Sequence, residues 1–140
     1  MKKIVFFLSI FLLINSCNKP QNIAVKQYDY DDVTRLCKWS DVFKQDEAEY
    51  LVYLYSKTCG HCVEIKQEMI AFYLSEKVTT YFSEVNEDTV FGSKTNLIGI
   101  NKIEDFHIFG TPFLVEIKKW TVSNYFAGVN SILEFINYKN

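Results

Sequence analysis

The residues best suited to chemistry in this sequence are Cys59 and Cys62, which form a Cys-x-x-Cys motif between an apolar run ending at Tyr55 and a helical pattern starting at Val63. We expect a strand to deliver both thiols to the first turn of a helix. Amide donors at a helix N-terminus stabilise a thiolate and lower its pKa from about 8.5. Cys59 is then the nucleophile, and Cys62 can close a disulfide with it or resolve a mixed disulfide held on it. The motif therefore predicts a redox-active dithiol.

The composition fits one compact domain in a chain of 140 residues, because 49% of the residues are hydrophobic and 23% are charged. Aromatic residues make up 16% of the chain. Their large side chains can build a core without a disulfide framework, which leaves the motif thiols free for chemistry. The net charge is −2 and the sequence has no basic patch, so we expect no nucleic acid partner.

Residues 1–16 have the features of a secretory signal peptide. Met1-Lys2-Lys3 is basic, and the apolar run from Ile4 to Ile14 is shorter than the about 20 residues that a membrane-spanning helix needs. The run leads into Ile14-Asn15-Ser16-Cys17, which resembles a bacterial lipobox. That resemblance implies lipidation of Cys17 by acyl chains such as palmitate, each buried methylene contributing about 0.8 kcal/mol to membrane binding. The alternative is an ordinary or uncleaved leader in which Cys17 is incidental.

Residues 17–29 are predicted to be the lipidated cysteine and a flexible tether, since Pro20 and amide residues there show no apolar periodicity. Secretion and the anchor predict a location on the extracytoplasmic side of the cell membrane, where disulfides can persist. The expected partners are the membrane itself, the thiols and disulfides of secreted or surface proteins, and a membrane redox partner. No cofactor or metal is expected for this chemistry.

Residues 30–140 predict an α/β domain. Tyr50–Tyr55 has no polar face and predicts a central strand covered on both sides, followed by a helix at Val63–Lys77 and a parallel strand at Thr79–Val85. Residues 86–99 predict a surface loop or a helical turn. The other predicted elements are an edge strand at 33–37, a helix at 40–47 capped by Ser40, a helix at 101–106 opened by a capping box of Asn101 and Glu104, antiparallel strands at 113–117 and 120–127, and a last helix opened by Ser131 and Glu134.

In this order of elements, the chain from about Tyr30 to Lys139 resembles the thioredoxin superfamily. The specific match is Cys59-Gly60-His61-Cys62 between a strand and a helix, with Thr111-Pro112 about fifty residues downstream. The resemblance implies a thioredoxin-like three-layer α/β sandwich with a central mixed sheet flanked by helices, and thiol-disulfide oxidoreductase activity. It implies a cis Pro112 whose loop faces the disulfide, where Thr111 and Pro112 meet the substrate. Thr58 and Gly60, on either side of Cys59, complete the predicted substrate-binding residues.

The dipeptide Gly60-His61 is similar to that of protein disulfide isomerases. An imidazole near the Cys59 sulfur favours thiolate over disulfide and makes the pair more oxidising, so oxidation or isomerisation is preferred to reduction. The alternative is an exposed imidazole without effect. The sequence departs from thioredoxins at Tyr53, where they usually bury an acidic residue, and at Thr58, where they usually carry tryptophan. These departures argue against reductant-like behaviour and leave open what takes the proton from Cys62.

Two other functions fit the same residues. Cys59 and Cys62 could bind a soft ion such as Cu(I) or Zn(II), helped by His61 or Cys37, although a closed zinc site needs four ligands and no second Cys-x-x-Cys is present. Alternatively, the chain is an accessory lipoprotein that uses the fold for docking. Cys37 itself is expected to be a partly buried, small apolar residue. His107 is expected to be a packed or solvated imidazole in the short helix before Pro112.

Overall fold

The computed structural model of the protein describes residues 26–93 and 96–139. The predicted signal peptide, Cys17 and the first part of the predicted tether lie outside these residues. The strands and α-helices are β1 at Glu49–Tyr55, α1 at Gly60–Leu74, β2 at Thr80–Glu84, β3 at Phe113–Lys118, β4 at Thr121–Ala127 and α2 at Val129–Lys139. Three short 3-10 helices lie at Tyr30–Asp32, Trp39–Asp41 and Ile103–Asp105.

The four strands form one mixed sheet in the order β2-β1-β3-β4. β1 runs parallel to β2 and antiparallel to β3, and β4 returns antiparallel to β3. Lys119 and Trp120 form the tight turn between β3 and β4 with φ of 49° and 59°, which matches the left-handed backbone of a two-residue hairpin. The sheet places β1 in its interior, as the apolar run predicted, so the strand that leads to the motif is held on both sides.

Alternate residues of β1 point to opposite faces of the sheet. Leu51, Tyr53 and Tyr55 share a core cluster with buried residues of α1 and α2. Tyr50, Val52 and Leu54 belong to a second cluster on the other face, which is covered by the 3-10 helix at Trp39–Asp41 and by irregular segments. Helical elements thus flank both faces of the mixed sheet, α-helices on one and 3-10 helices on the other, and the predicted thioredoxin-like sandwich is confirmed. Both α-helices, however, lie in one outer layer.

Two predictions for the segment before β1 are wrong. Residues 40–47 form no α-helix, and Ser40 lies inside the turn Trp39–Asp41, whose capping residue Lys38 makes no side-chain capping bond. One turn already buries Trp39, Val42 and Phe43, and a helix this short is not stable without further packing. The predicted edge strand at 33–37 is reduced to a single parallel bridge between Leu36 and Phe82.

Both predicted capping boxes are also wrong. The 3-10 helix Ile103–Asp105 follows Lys102, and no side chain caps it. α2 begins at Val129, so Ser131 lies within its first turn, where its hydroxyl donates to the Ala127 carbonyl oxygen at 2.7 Å. The chain passes from β4 into α2 through Gly128, so the helix starts before the predicted cap. In the described parts of residues 86–99, the chain forms neither a helix nor a strand, and Phe91 makes one bridge with Ile108.

Candidate active site

The Cys-x-x-Cys motif forms the first turn of α1, three residues earlier than the predicted start at Val63. Cys59 is the N-cap residue, and its carbonyl oxygen accepts hydrogen bonds from the amides of Cys62 and Val63 at 3.1 Å. Cys59 is partly exposed, whereas Cys62 is 0% exposed. The first turn therefore presents one thiol to the surface and holds the other in the core.

The loop before β3 meets Cys59 across the site. The Thr111-Pro112 peptide bond is cis, as the resemblance implied. The Cys59 thiol donates to the Thr111 carbonyl oxygen, with 3.3 Å between sulfur and oxygen. On its other side, the Pro112 carbonyl oxygen accepts a hydrogen bond of 2.9 Å from the amide of Gly128, whose φ of 81° suits glycine. The residue that follows β4 thus holds the loop that contacts the outer thiol.

The environment of Cys59 favours its ionised form. Burial by itself raises the pKa of the thiol, but hydrogen bonds with the side chains of Thr111 and Cys62 and the amides of Cys62 and His61 outweigh burial and lower the pKa below its ordinary value. The protonated sulfur makes no capping bond to α1 and points to the Thr111 carbonyl oxygen instead. The protonated Cys59 thiol thus contacts the Thr111 carbonyl oxygen, whereas the hydrogen-bond donors around Cys59 stabilise its thiolate.

Cys62 has the opposite bias. Burial raises the pKa of the Cys62 thiol. The neighbouring Cys59 raises it further, because a hydrogen bond from the Cys62 thiol to the Cys59 sulfur stabilises the protonated form of Cys62. When the pair loses one proton, Cys59 is therefore the thiol that ionises and Cys62 the one that keeps its proton. This is the pattern expected for an attacking thiol and a resolving thiol.

His61 lies on the exposed side of the first turn. Its side chain is 76% exposed, and its Nδ1 atom is 3.4 Å from Glu64 Oε2. An exposed pair of this kind contributes little to stability, but both side chains lie at the same helix end as Cys59. His61 and Glu64 also line an open groove of about 270 Å³ beside Thr111 and Pro112.

Thr58 and Gly60 flank Cys59 at the surface and both are exposed, and their contact with a substrate stays a prediction. Thr58 is held by the Ser56 hydroxyl, 3.0 Å from its own, and nothing lies within 4 Å of the position that a Cβ would take on Gly60. A second open groove, of about 250 Å³, runs between Phe109 and Pro112. Both grooves are lined by Thr111 and Pro112, so the loop that contacts Cys59 has open space beside it.

Three residues of the site were missed by sequence reasoning. Tyr30 stands in a segment that reads only as an acidic turn, yet its hydroxyl donates to the Cys62 carbonyl oxygen at 3.4 Å. Glu64 reads as a solvated helix residue, and Gly128 as the end of a strand. No local pattern marks Tyr30 or Gly128, because their contacts join segments far apart in sequence. Glu64, three residues after His61, was readable from helix spacing.

The structure does not bring the other two candidates to the motif. Cys37 packs with the cluster on the opposite face of the sheet from Cys62, and burial raises the pKa of its thiol to about 12. His107 follows the 3-10 helix Ile103–Asp105 instead of lying in it. It is half-buried, and a Cβ placed on Gly92 would lie 3.0 Å from its ring. Both residues pack as the sequence led us to expect.

The described residues offer no ready metal site or membrane span. Within 26–93 and 96–139, no three side chains of His, Cys, Asp or Glu are grouped so that they could hold a metal ion. Among the helices of the same residues, none combines the length and the apolar character needed to cross a membrane.

The lowered pKa of Cys59 predicts how its alkylation depends on pH. Only the thiolate reacts with iodoacetamide, and an ordinary thiol is half ionised at about pH 8.5. The alkylation of Cys59 should have its midpoint at a lower pH, and the rate should fall tenfold for each further pH unit below the Cys59 midpoint. Cys62 and Cys37 should react far more slowly at neutral pH because both have raised pKa values. Peptide mapping of the labelled chain at several pH values measures all three. Preferential labelling of Cys62 would reverse the assigned roles.

Comparison with known proteins supports the fold. No protein-family model matches the sequence, and no curated protein does. Thioredoxin f2 of Chlamydomonas reinhardtii is 16% identical and aligns with a TM-score of 0.53 over 74% of this chain and 93% of that one. Mitochondrial thioredoxin 3 of Saccharomyces cerevisiae, in its oxidised form, is 12% identical with a TM-score of 0.50 over 79% and 96%. The chain therefore has a thioredoxin-like fold, with a Cys-x-x-Cys dithiol at the start of α1.

Proposed function

We propose that this protein is a thiol-disulfide oxidoreductase that acts on protein disulfides through Cys59 and Cys62. The observation that carries the proposal is the arrangement of the two thiols. A partly exposed Cys59 with a lowered pKa lies 3.3 Å from the Thr111 carbonyl oxygen, and a buried Cys62 with a raised pKa lies one turn behind it. This arrangement suits a nucleophile that meets a client protein and a second thiol that completes the reaction.

In the forward direction, the Cys59 thiolate attacks one sulfur of a client disulfide. The client S–S bond breaks, its electron pair leaves on the other client sulfur, and a mixed disulfide joins Cys59 to the client. Cys62 then loses its proton and attacks the Cys59 sulfur, which releases the client as a dithiol and leaves the motif oxidised. The reverse sequence oxidises a client dithiol. The reduction potential of the pair decides which direction prevails.

The proposal is tested with the full chain in two assays, reduction of insulin by dithiothreitol and oxidative refolding of a reduced, disulfide-containing protein. The chain should accelerate at least one of them, and a Cys59→Ser/Cys62→Ser double variant should accelerate neither. Cys37→Ala is the matched control, because that thiol lies on the opposite face of the sheet and should not be needed. Equal rates with the parent and the double variant would refute the function.

We further propose that the protein works on the extracytoplasmic side of the cell membrane, held there by lipid on Cys17. The support is the lipobox-like sequence Ile14 to Cys17 after a basic and apolar leader. Its clients would then be secreted or surface proteins, and a membrane redox partner would reset the motif. In the described part of the predicted tether, the Tyr28 amide and carbonyl groups form hydrogen bonds of 2.7 and 2.8 Å with the Gln67 side chain.

The anchor proposal predicts that a bacterium fed a labelled fatty acid will attach label to the chain and keep the chain in its membrane fraction. Cys17→Ala should lose the label, because no other cysteine follows a lipobox-like sequence. Cys37→Ala should keep it. Gel fluorography of fractionated cells measures the result, and label that persists in the Cys17→Ala variant would exclude this anchor.

Oxidation or isomerisation is the direction that we prefer, and His61 is the residue that supports it. A positive or hydrogen-bonding imidazole near Cys59 stabilises the thiolate but does little for the neutral disulfide, so it raises the reduction potential. Glu64 lies 3.4 Å from His61 and should offset part of that effect. His61 and Glu64 are therefore expected to shift the reduction potential in opposite directions.

The His61→Pro variant should have a lower reduction potential, by on the order of 30 mV, and a higher Cys59 pKa. Glu64→Gln should shift both quantities in the other direction, because it removes a negative charge near the thiolate. Equilibration of each form against glutathione gives the potentials. A potential of the His61→Pro variant equal to or above that of the parent would make His61 a bystander and remove the preference for oxidation.

A further inference from the structure

Tyr53 carries an unusual hydroxyl group. The residue is 0% exposed, and among buried side-chain nitrogen and oxygen atoms in the described part of the chain only its hydroxyl lacks a hydrogen-bond partner. Burying a polar group without a partner costs about 1–3 kcal/mol, whereas a phenylalanine of the same shape would avoid that cost. Such an atom calls for a functional reason or for a partner that it acquires in another state.

The hydroxyl belongs to the core cluster that contains Cys62. The Tyr53, Tyr55 and Tyr30 rings stack in that order, with centroids 5.8 Å and then 4.1 Å apart. At the end of the stack, the Tyr30 hydroxyl donates to the Cys62 carbonyl oxygen at 3.4 Å. The Tyr53 and Tyr30 hydroxyls are close enough for each to act on the pKa of the other, but no hydrogen bond of ordinary geometry joins them. The tyrosine stack therefore runs from the unpaired hydroxyl to the backbone of the resolving cysteine.

The ionisable groups that act on this pocket are few. From α1 they are Cys59 and Cys62, and from the segment before β1 it is Tyr30. Charged side chains also reach the stack: Lys66 Nζ lies 5.7 Å from the Tyr30 ring centre and 3.6 Å from Asp29 Oδ1, and Glu84 and Asp31 act on Tyr55, whose pKa they raise in addition to burial. Burial raises the pKa of Tyr53 above its ordinary value, and negative charge on Tyr30 or Cys62 raises it further. Tyr53 therefore keeps its proton and acts as a hydrogen-bond donor, not as a base.

We propose, building on the oxidoreductase function above, that Tyr53 is a positioning residue for Cys62 and that its free hydroxyl donates to the Cys62 sulfur when that sulfur becomes a thiolate. In the dithiol state, the Cys62 thiol gives its hydrogen bond to Cys59. Once Cys59 is bound to a client, that acceptor is gone. The Cys62 proton then passes to water or to the departing client thiolate, and the buried anion gains the donor from Tyr53.

The bonds in this step are those of ordinary disulfide exchange. The Cys62 thiolate forms a bond to the Cys59 sulfur, the bond between Cys59 and the client breaks, and the electron pair leaves on the client sulfur. Tyr53 forms no covalent bond and loses no proton. It lowers the pKa that Cys62 has in the mixed disulfide, so a larger fraction of Cys62 is ready to attack at neutral pH.

The test separates the two chemical steps in one reaction. The full chain carrying Cys17→Ala and Cys37→Ala retains only the two motif thiols of its four cysteines. Mixed with excess dithiobis(nitrobenzoate) in a stopped-flow instrument, it should release nitrothiobenzoate in two phases. Attack by Cys59 produces the first phase, and resolution by Cys62 produces the second. The rates of both phases are measured from pH 5 to pH 10.

Tyr53→Phe in this background should leave the first phase unchanged. It should raise the pH midpoint of the second phase by about one to two pH units, the size expected from losing a hydrogen bond to a charged group. At neutral pH the second phase should slow by about tenfold to a hundredfold. Meanwhile the fold should be as stable as that of the parent or more stable, because the variant removes an unpaired buried hydroxyl.

Tyr50→Phe is the matched control. Tyr50 is also buried in β1, but its hydroxyl donates to the Val42 carbonyl oxygen at 2.8 Å on the opposite face. This control should lose stability and keep both pH profiles. An unchanged second phase in Tyr53→Phe would overturn the positioning role while leaving the oxidoreductase proposal intact. Failure of the parent to show a fast first phase and a resolving second phase would overturn both.

Discussion

The Cys62→Ser variant will accumulate mixed disulfides with client proteins, and the Cys59→Ser variant will accumulate none. The reason is the division of roles between a partly exposed thiol of lowered pKa and a fully buried thiol of raised pKa. Without Cys62, the complex formed by Cys59 has no internal thiol to resolve it. Without Cys59, the remaining thiol is 0% exposed and stays protonated, so the first bond does not form.

The measurement is non-reducing electrophoresis of cells expressing each variant, after acid quenching and alkylation, with mass spectrometry of the bands that dithiothreitol removes. A Cys37→Ser variant is the control for a cysteine outside the motif. We expect it to trap nothing beyond the parent, because Cys37 packs on the opposite face of the sheet and its pKa is raised to about 12. Complexes that form equally with Cys59→Ser would contradict the assignment of the attacking thiol.

The dithiol was predictable because its signal is local and specific, and the cis proline because the resemblance to the thioredoxin superfamily implied it. Cys59 and Cys62 stand directly after a fully apolar strand, and Thr111-Pro112 directly precedes another. A strand without a polar face has to lie inside a sheet, so β1 fixes the position of the motif before any contact is known. Cys59 and Thr111 then meet across the site, with 3.3 Å between the Cys59 sulfur and the Thr111 carbonyl oxygen.

The short elements were not predictable, because tertiary packing decides them. The segment after Lys38 has helical spacing at Trp39, Val42 and Phe43, but one 3-10 turn already buries all three. Capping signals failed for a related reason. Ser131 matches a cap by residue type, yet β4 passes directly into α2 through Gly128, so the serine falls inside the first turn. Local preference amounts to a few tenths of a kcal/mol per residue and yields to such packing.

The polar surroundings of Cys62 depend on contacts between distant segments, which explains why the sequence left the fate of its proton open. Tyr30 and Cys62 are 32 positions apart, and their hydrogen bond follows from where the first 3-10 helix docks on α1. The resemblance to thioredoxins implies only that Tyr53 occupies a position where they usually bury an acidic residue. The structure adds that the replacement hydroxyl is buried, unpaired and in the same cluster as Cys62.

Phe82→Ala should lower the free energy of unfolding by about 3–5 kcal/mol, a large share of the 5–15 kcal/mol that holds a typical domain folded. Phe82 is 0% exposed in β2, and its amide and carbonyl groups tie the segment before β1 to the sheet edge through Arg35 and Cys37. Its ring makes edge contacts with four tyrosines, at centroid distances of 5.1 to 6.4 Å: Tyr30, Tyr53, Tyr55 and Tyr73. The truncation removes the ring that all four tyrosines contact, and we expect their cluster not to close the cavity without a movement of β2.

Urea unfolding followed by circular dichroism measures the loss, with Phe91→Ala as the matched control. Phe91 is 53% exposed and its bridge to Ile108 uses only backbone atoms, so its truncation should change the unfolding free energy by no more than about 0.5 kcal/mol. In Phe82→Ala below its unfolding transition, Cys62 should also become open to alkylation, because Phe82 and Cys62 lie in one cluster. A loss under about 1 kcal/mol would mean that the tyrosines repack without Phe82 and that the cluster around Cys62 does not depend on β2.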